Sequence, residues 1–146
     1  MFRKMKDEKG FTLIELMIVL IIMGILVTVV VLNLGDEPDK ARVQKARMDI
    51  KRLETALKMF KIDNAFYPST EQGIEALLYE PTVGRMVKDY KEGGYVEALP
   101  LDPWDNPYIY ISPGVKGRNY DLISYGADGL EGGEDFNEDI VSWDLN

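Results

Sequence analysis

The sequence predicts an α+β fold in which a long N-terminal helix packs on a small antiparallel β-sheet. Three observations lead to this prediction. Positions 16–34 carry no charge and are mostly apolar, and an apolar residue then recurs every three or four positions from Val43 to Phe60. The C-terminal third holds short runs of β-branched and aromatic residues between turn residues. The predicted helix therefore has an apolar half followed by an amphipathic half.

The uncharged run from Leu16 to Leu34 contains 19 residues, which extend about 28 Å as an α-helix at about 1.5 Å per residue. That length spans the hydrocarbon core of a bilayer. The ten residues at the start carry a net charge of +2, and the residues after the run are acidic overall. Since positive flanks tend to remain in the cytoplasm, we predict that residues 11–35 form a single transmembrane helix and that residues 36–146 form an exported globular domain.

The alternative of a cleavable secretory signal peptide is disfavoured. Such a peptide has an apolar region of about 7 to 15 residues, and a small-x-small cleavage site follows it. Here the apolar run is longer, and Val31-Leu32-Asn33-Leu34 offers no such site.

The amphipathic half of the helix is indicated by a single apolar stripe. Charged residues occupy the other positions, so one face is expected to pack against the body. Joined to the apolar run, it gives a helix of about 50 residues in which Pro38 is able to kink or open the backbone. The stripe consists of Val43, Ala46, Ile50, Leu53, Leu57 and Phe60.

The rest of the chain is predicted to be loop-rich, with short elements. Residues 70–79 are a candidate helix that Ser69 or Thr70 could cap. Residues 108–111, 120–124 and 140–143 are predicted as strands of the antiparallel sheet.

The composition excludes several classes of chemistry. The chain has 17 basic and 25 acidic residues, a formal net charge of −8, and neither Cys nor His. It therefore has no disulfide, no thiolate nucleophile, no Ser-His-Asp triad and no Cys/His zinc site. The acidic balance argues against nucleic acid as a partner. Phosphate-binding glycine loops and serine-hydrolase motifs are also missing, and we predict that the protein is not an enzyme.

A compact motif precedes the apolar run: Lys9-Gly10-Phe11-Thr12-Leu13-Ile14-Glu15. Glu15 lies at the start of that run, where an ionised carboxylate costs a few kcal/mol unless it is paired or close to the interface. Glu15 is therefore a candidate functional residue.

This motif resembles the type III signal of type IV pilin-like proteins. In that family a membrane-embedded prepilin peptidase cuts after the glycine and methylates the new amino terminus. The resemblance implies a cytoplasmic leader of residues 1–10, cleavage between Gly10 and Phe11, and N-methylation of Phe11. The new α-amino group has a reference pKa of about 8. The Glu15 carboxylate of one subunit can pair with the amine of the next during assembly.

Motifs in the body narrow the resemblance to the major pseudopilins of the type II secretion system. They are the run from Lys61 to Leu77, Leu99-Pro100-Leu101-Asp102-Pro103-Trp104 and Ser124-Tyr125-Gly126-Ala127-Asp128-Gly129. The resemblance implies a pilin-like fold and a homopolymer anchored in the bacterial inner membrane that forms a periplasmic pseudopilus. It implies minor pseudopilins, the prepilin peptidase and an inner-membrane assembly platform as partners. A type IV pilin of an extracellular fibre and a monomeric membrane-anchored binding protein are the alternatives.

An acidic, glycine-containing loop at residues 128–139 is a candidate calcium site. Clustered carboxylates on a backbone able to turn tightly suit calcium, although the spacing does not match an EF-hand. A solvated acidic surface is the alternative. The resemblance to major pseudopilins implies one calcium in this loop. The ligands it implies are the side chains of Asp128 and Asp135 and the main-chain carbonyls of Tyr125 and Leu130, with Asn137 and Asp139 as further candidates.

Processing at Gly10 gives the first testable prediction. The mature protein isolated from membranes is expected to begin at a methylated Phe11, because the motif places the cut before the apolar run and so keeps the anchor on the body. Mass spectrometry of the intact protein and of its N-terminal peptide measures this. A chain that still began at Met1 would support the monomeric anchored protein instead.

Overall fold

The computed structural model describes residues 10–33 and 37–145, and the side chains of residues 28–33 and 37 lie outside the description. The chain divides into two compact units, Met1–Pro38 and Asp39–Asn146. The first contains helix α1, and the second contains nearly all of helix α2 and the whole sheet.

Helix α1 runs from Leu13 to Asn33 and covers most of the uncharged run. Its described apolar side chains, as far as Val27, are half or more exposed. No helix in the described part of the chain has the length and apolar character needed to cross a membrane. Leu34 and Gly35, the last two residues of the predicted transmembrane segment, lie outside the described residues.

Helix α2 runs from Glu37 to Asn64. Pro38 stands in its first turn, where a missing N–H breaks no helical hydrogen bond, so the helix accommodates it. The helix ends where Ala65 adopts a left-handed φ of 67° and its N–H bonds to the Lys61 carbonyl at 2.7 Å. The predicted stripe is buried from Ala46 to Phe60, whereas Val43 is only half-buried.

The helix predicted at residues 70–79 is wrong in its extent. The structure has only a 3-10 helix, Ile74–Leu77, preceded by turns. Gly73 has a φ of 67°, a left-handed conformation that interrupts a right-handed helix at that point. The Gln72 N–H donates to Ser69 Oγ at 3.2 Å, so Ser69 caps a turn instead of a longer helix.

The sheet has three short strands, β1 Ile109–Ile111, β2 Asp121–Ser124 and β3 Ile140–Val141, in the order β1-β2-β3. Both pairings are antiparallel, with Tyr110 opposite Leu122 and Ser124 opposite Ile140. The predicted small antiparallel sheet is confirmed. The third strand is shorter than predicted, because Ser142–Asp144 turns into a 3-10 helix.

The core lies between α2 and the sheet, and aromatic rings extend it toward the loops. Phe60 contacts the rings of Phe66, Tyr90 and Tyr95 at centroid distances of 5.3 to 6.5 Å, close to the separations preferred by edge-to-face pairs. Tyr120 packs against both Tyr67 and Tyr110.

Two buried amides fix the loop that follows the 3-10 helix. Gln72 Nε2 donates to the carbonyls of Val83 and Arg85 at 2.9 and 2.8 Å. Asn64 Oδ1 accepts from the Lys88 and Asp89 N–H groups at 3.2 and 3.3 Å. These bonds replace the regular hydrogen bonding that the loop backbone lacks.

Buried tyrosines predict a loss of stability in alkali. Burial raises the pKa of Tyr110 to about 12, and its hydroxyl donates to the Pro68 carbonyl at 2.8 Å. Burial also raises the pKa of Tyr108 and Tyr120. A raised folded-state pKa leaves stability intact below the unfolded value of about 10 and lowers it as the pH rises toward the folded value.

We therefore expect the free energy of unfolding of a soluble fragment, residues 35–146, to fall between about pH 9 and pH 12. Tyr110→Phe should lessen that fall, and Tyr79→Phe, at a side chain 69% exposed, should not change it. Urea denaturation at several pH values measures the effect, and equal slopes for all three proteins would contradict the prediction.

Candidate functional site

The N-terminal motif forms a reciprocal cap at the start of α1. The Thr12 N–H and the Thr12 hydroxyl both donate to Glu15 Oε2, at 2.8 and 2.9 Å. In return the Glu15 N–H donates to Thr12 Oγ1 at 3.3 Å. This is a capping box, in which two N–H groups that the helix leaves without partners are satisfied by side chains.

Glu15 was predicted as a functional residue because of its charge, and this capping role was not predicted. The signal was present, since Thr12-x-x-Glu15 before an apolar run is the capping-box pattern. Phe11, just outside the cap, is 86% exposed, and Gly10 is also exposed. The peptide bond between Gly10 and Phe11 thus lies outside the hydrogen-bonded helix, on an accessible segment.

The acidic loop begins where β2 ends and closes on itself. The Ala127 N–H donates to the Phe136 carbonyl at 3.0 Å, which joins the two arms of the loop. Gly126 has a φ of 64°, and a Cβ at that position would lie 2.9 Å from the Asn137 carbonyl oxygen, too close for a side chain. The close approach of the two arms therefore requires a glycine there.

The candidate calcium ligands occupy different parts of this loop. Asp128 Oδ1 accepts from the Leu130 N–H at 3.0 Å, which makes a local turn. Asp135 opens the 3-10 helix Asp135–Asn137 with a left-handed φ of 56°. Tyr125 is half-buried, and Asn137 is exposed.

Asp139 is the candidate with an unsatisfied group. Its Oδ2 accepts from the Gly132 N–H at 3.0 Å, while its Oδ1 is buried without a hydrogen-bond partner among the described residues. Asp139 and Asp135 line one cleft of about 100 Å³ beside α2. A buried carboxylate oxygen without a partner is costly, and a cation would satisfy it.

The carboxylates of the loop do not form a closed cluster. Among residues 10–33 and 37–145, no three acidic side chains converge in an arrangement that could hold a metal ion. Asp135 and Asp139 share their cleft, and Asp128 is not among the residues that line it. The chemistry of the donors fits calcium, and the buried Asp139 oxygen supports that fit.

A buried carboxylate outside the loop fixes the position where the loop begins. Asp102 Oδ2 accepts from the Ser124 hydroxyl at 2.7 Å, and its Oδ1 accepts from the N–H groups of Trp104 and Asn106 at 3.0 and 2.8 Å. The Gly126 N–H donates to Ser124 Oγ at 3.4 Å, so Asp102 connects the 102–106 turn with the start of the acidic loop. Asp102 was recognised in the sequence only as part of a family motif, and this structural role was not predicted.

An ion pair holds the other end of β2. Arg118 bonds to the buried Asp121 carboxylate through both Nε and Nη2, at 2.5 and 3.1 Å. These bonds, with a further one from the Val115 N–H, hold the pKa of Asp121 below its usual value against the opposing effect of burial. The guanidinium also stacks on the ring of Trp143, 3.9 Å from its centroid. Asp121 therefore stays ionised and is a structural residue at the start of the central strand.

Comparison with known proteins identifies the family. The model of the family described as "Type II secretion system (T2SS), protein G" matches residues 33–143, and that of the "Prokaryotic N-terminal methylation motif" matches residues 5–31. The chain belongs to the type II secretion system protein G family. Together the two matches cover nearly all of residues 5–143, so the N-terminal motif and the globular unit are both accounted for.

Individual relatives align with this chain over nearly its whole length. Type II secretion system core protein G of Pseudomonas aeruginosa is 50% identical over 139 residues, which cover 95% of this chain and 97% of the relative. The protein of the same name from Vibrio cholerae is 50% identical over 143 residues, covering 98% and 97%.

A solved structure is similar as well. It is the crystal structure of the major pseudopilin from the type 2 secretion system of enterohaemorrhagic Escherichia coli, with a TM-score of 0.67 and 40% sequence identity. The match covers 75% of this chain and 88% of that one. The predicted pseudopilin family and the predicted secretion function are confirmed, and the comparisons do not favour an extracellular type IV pilin. The family is one of structural pseudopilins.

Loss of the Asp102 carboxylate is expected to destabilise the globular unit. Asp102→Ala leaves three donors without their acceptor in a buried site, which should cost about 3 kcal/mol of unfolding free energy. Asp89→Ala removes an exposed carboxylate and serves as the matched control, with little change expected. Chemical denaturation of residues 35–146 measures both, and equal stability of the two variants would contradict the assigned role.

Proposed function

We propose that this chain is the polymerising subunit of a periplasmic pseudopilus whose growth drives export of folded proteins across the outer membrane. The observation that carries the proposal is the combination, in one chain of the protein G family, of the N-terminal methylation motif and a separate globular unit. No nucleotide-binding motif occurs in the sequence, so the energy for assembly would come from a separate ATPase acting through the inner-membrane platform. Minor pseudopilins would join the same fibre.

The apolar residues 11–35 would anchor the subunit in the inner membrane before assembly and form the core of the fibre afterwards. Support comes from the charge-free run in the sequence and from the exposed apolar side chains of α1. Exposing so many apolar side chains to water is unfavourable. They therefore indicate a surface that is covered by lipid or by other apolar helices. Prepilin peptidase would remove residues 1–10 and methylate Phe11.

Glu15 would pair with the α-amino group of a neighbouring subunit in this apolar core. A charged group within an apolar bundle is tolerated when a partner of opposite charge lies beside it. The capping box holds the Glu15 carboxylate at the first turn of α1, four residues from the proposed new terminus.

Two variants separate the cap from the charge. Glu15→Gln keeps a side chain that can complete a capping box but removes the charge, and Thr12→Ala removes the capping hydroxyl but keeps the charge. In a bacterium that lacks its own protein G, we expect the unsubstituted chain and Thr12→Ala to restore secretion and Glu15→Gln to fail. Membrane levels and processing of each variant are measured in parallel. Secretion with Glu15→Gln at normal levels would contradict the pairing.

We further propose that the acidic loop binds one calcium ion. Asp128, Asp135 and the carbonyls of Tyr125 and Leu130 would be ligands, and the unpartnered Asp139 oxygen makes Asp139 the strongest of the additional candidates. The bound ion supplies positive charge that offsets repulsion between the carboxylates and holds the loop against β3. Its binding would therefore stabilise the folded domain.

Thermal unfolding tests the calcium site. For residues 35–146, calcium at about 100 times its dissociation constant should stabilise the fold by roughly 2.7 kcal/mol, a rise in Tm on the order of 10 °C relative to chelator. Asp128→Asn and Asp139→Asn should reduce the rise, and Glu131→Gln, a matched change at an exposed acid of the same loop, should not. The site is refuted if calcium leaves the Tm of the unsubstituted fragment unchanged.

A further inference from the structure

Charge is distributed unevenly within the globular unit. Helix α2 carries eight basic and five acidic residues, whereas residues 121–146 carry eight acidic residues and no basic one. A subunit with separate positive and negative regions can attract another copy of itself when the two regions lie on different surfaces.

The positive region includes the solvent side of α2, opposite its buried stripe. The three cations on this side, Lys51, Arg52 and Lys58, make no ion pair within the described part of the chain, and the carboxylates of Glu54 and Asp63 lie at its borders. Three large apolar side chains are exposed among them: Met48 at 70%, Met59 at 43% and Ile62 at 80%. We call the following six residues the outer face of α2: Met48, Lys51, Arg52, Lys58, Met59 and Ile62.

The outer face borders an open groove. The groove has a volume of about 560 Å³ and runs between Arg52, Thr55 and Met59 on one side and residues 91–97 on the other. The groove lining itself is balanced in charge, with Arg52 and Lys91 against Glu92 and Glu97. A protruding apolar residue would fit the groove, and acidic neighbours would contact the cations of the outer face beside it.

The acidic loop has such a tip. Leu130 is 68% exposed, and Glu131 and Glu134, both exposed, follow it in the chain. Neither glutamate side chain forms a hydrogen bond or an ion pair in the portion of the chain that the structure covers. Neither is among the proposed calcium ligands, so both remain free to attract a partner's cations when the ion is bound. We call Leu130, Glu131 and Glu134 the acidic tip.

We propose that the acidic tip of one subunit docks on the outer face of α2 of a second copy of this chain. The two surfaces differ, so the contact is heterologous, and repeated heterologous contacts build an open helical filament when the rotation between copies does not close into a ring. This inference rests on the proposed pseudopilus function, and it names the surfaces of the globular units that would meet in the fibre. Apolar contact would come from Leu130 with Met48 or Met59, and charge attraction from Glu131 and Glu134 with Lys51 and Arg52.

Cysteine cross-linking tests the contact directly, because the chain has no Cys of its own. Two full-length chains, one with Leu130→Cys and one with Met59→Cys, are co-expressed in a bacterium that has the type II machinery but no protein G. We expect a disulfide-linked dimer from this pair. The control pair combines Leu130→Cys with Tyr79→Cys, an exposed position that belongs to neither the outer face nor the groove lining, and should give none.

Charge reversal supplies the second measurement. Reversing the tip with Glu131→Lys and Glu134→Lys, or the outer face with Lys51→Glu and Arg52→Glu, should each abolish the cross-link, and combining both reversals should restore it. Three outcomes would each overturn the docking. The Tyr79→Cys control could cross-link as strongly as Met59→Cys, cells that secrete normally could show no cross-link, or Met59→Cys could link to a different protein. Failure of the unsubstituted chain to restore secretion would instead contradict the proposed function on which it rests.

Discussion

The burial of one face of α2 is the interaction on which the globular unit depends. Ala46, Ile50, Leu57 and Phe60 are fully buried, and the sheet, the 3-10 helix and the aromatic loops all contribute to the same core. The three strands are too short to form a stable sheet alone and need an apolar surface to pack against. One side of α2 is buried in the core, and residues on the opposite side, such as Met48 and Ile62, are exposed and available for contact with another protein.

Buried polar side chains hold the segments that have little regular structure. Asn64 and Gln72 bind the loop after the 3-10 helix, and Asp102 binds the turn that supports the acidic loop. Each gives backbone groups the partners that a helix or a strand would otherwise provide. The acidic loop with its candidate calcium ligands is thus held in position by hydrogen bonds to buried side chains.

Periodic features of the sequence predicted the helices and the strands, because a stripe of apolar residues reports directly on which face is buried. The stripe of α2 and the β1 and β2 runs were predicted in this way. Residues 70–79 were not, since the left-handed Gly73 overrides their helical pattern. The roles of Asn64 and Asp102 depend on partners 20 or more residues away, which periodicity cannot reveal.

For the candidate sites, the sequence predicted the residues but not their geometry. The N-terminal motif was recognisable because its residues are adjacent, and its family assignment is confirmed. The arrangement of the acidic loop depends on left-handed positions such as Asp135, which composition does not indicate. The buried, unpartnered oxygen of Asp139 became visible only in the structure.

The capping box at the start of α1 is built only from residues that follow the proposed cleavage site. Its three hydrogen bonds all join Thr12 and Glu15. A protease that removed the first ten residues would therefore leave every group of this cap on the chain. A newly cut subunit would carry within its own sequence all that the first turn of α1 needs before it enters a polymer.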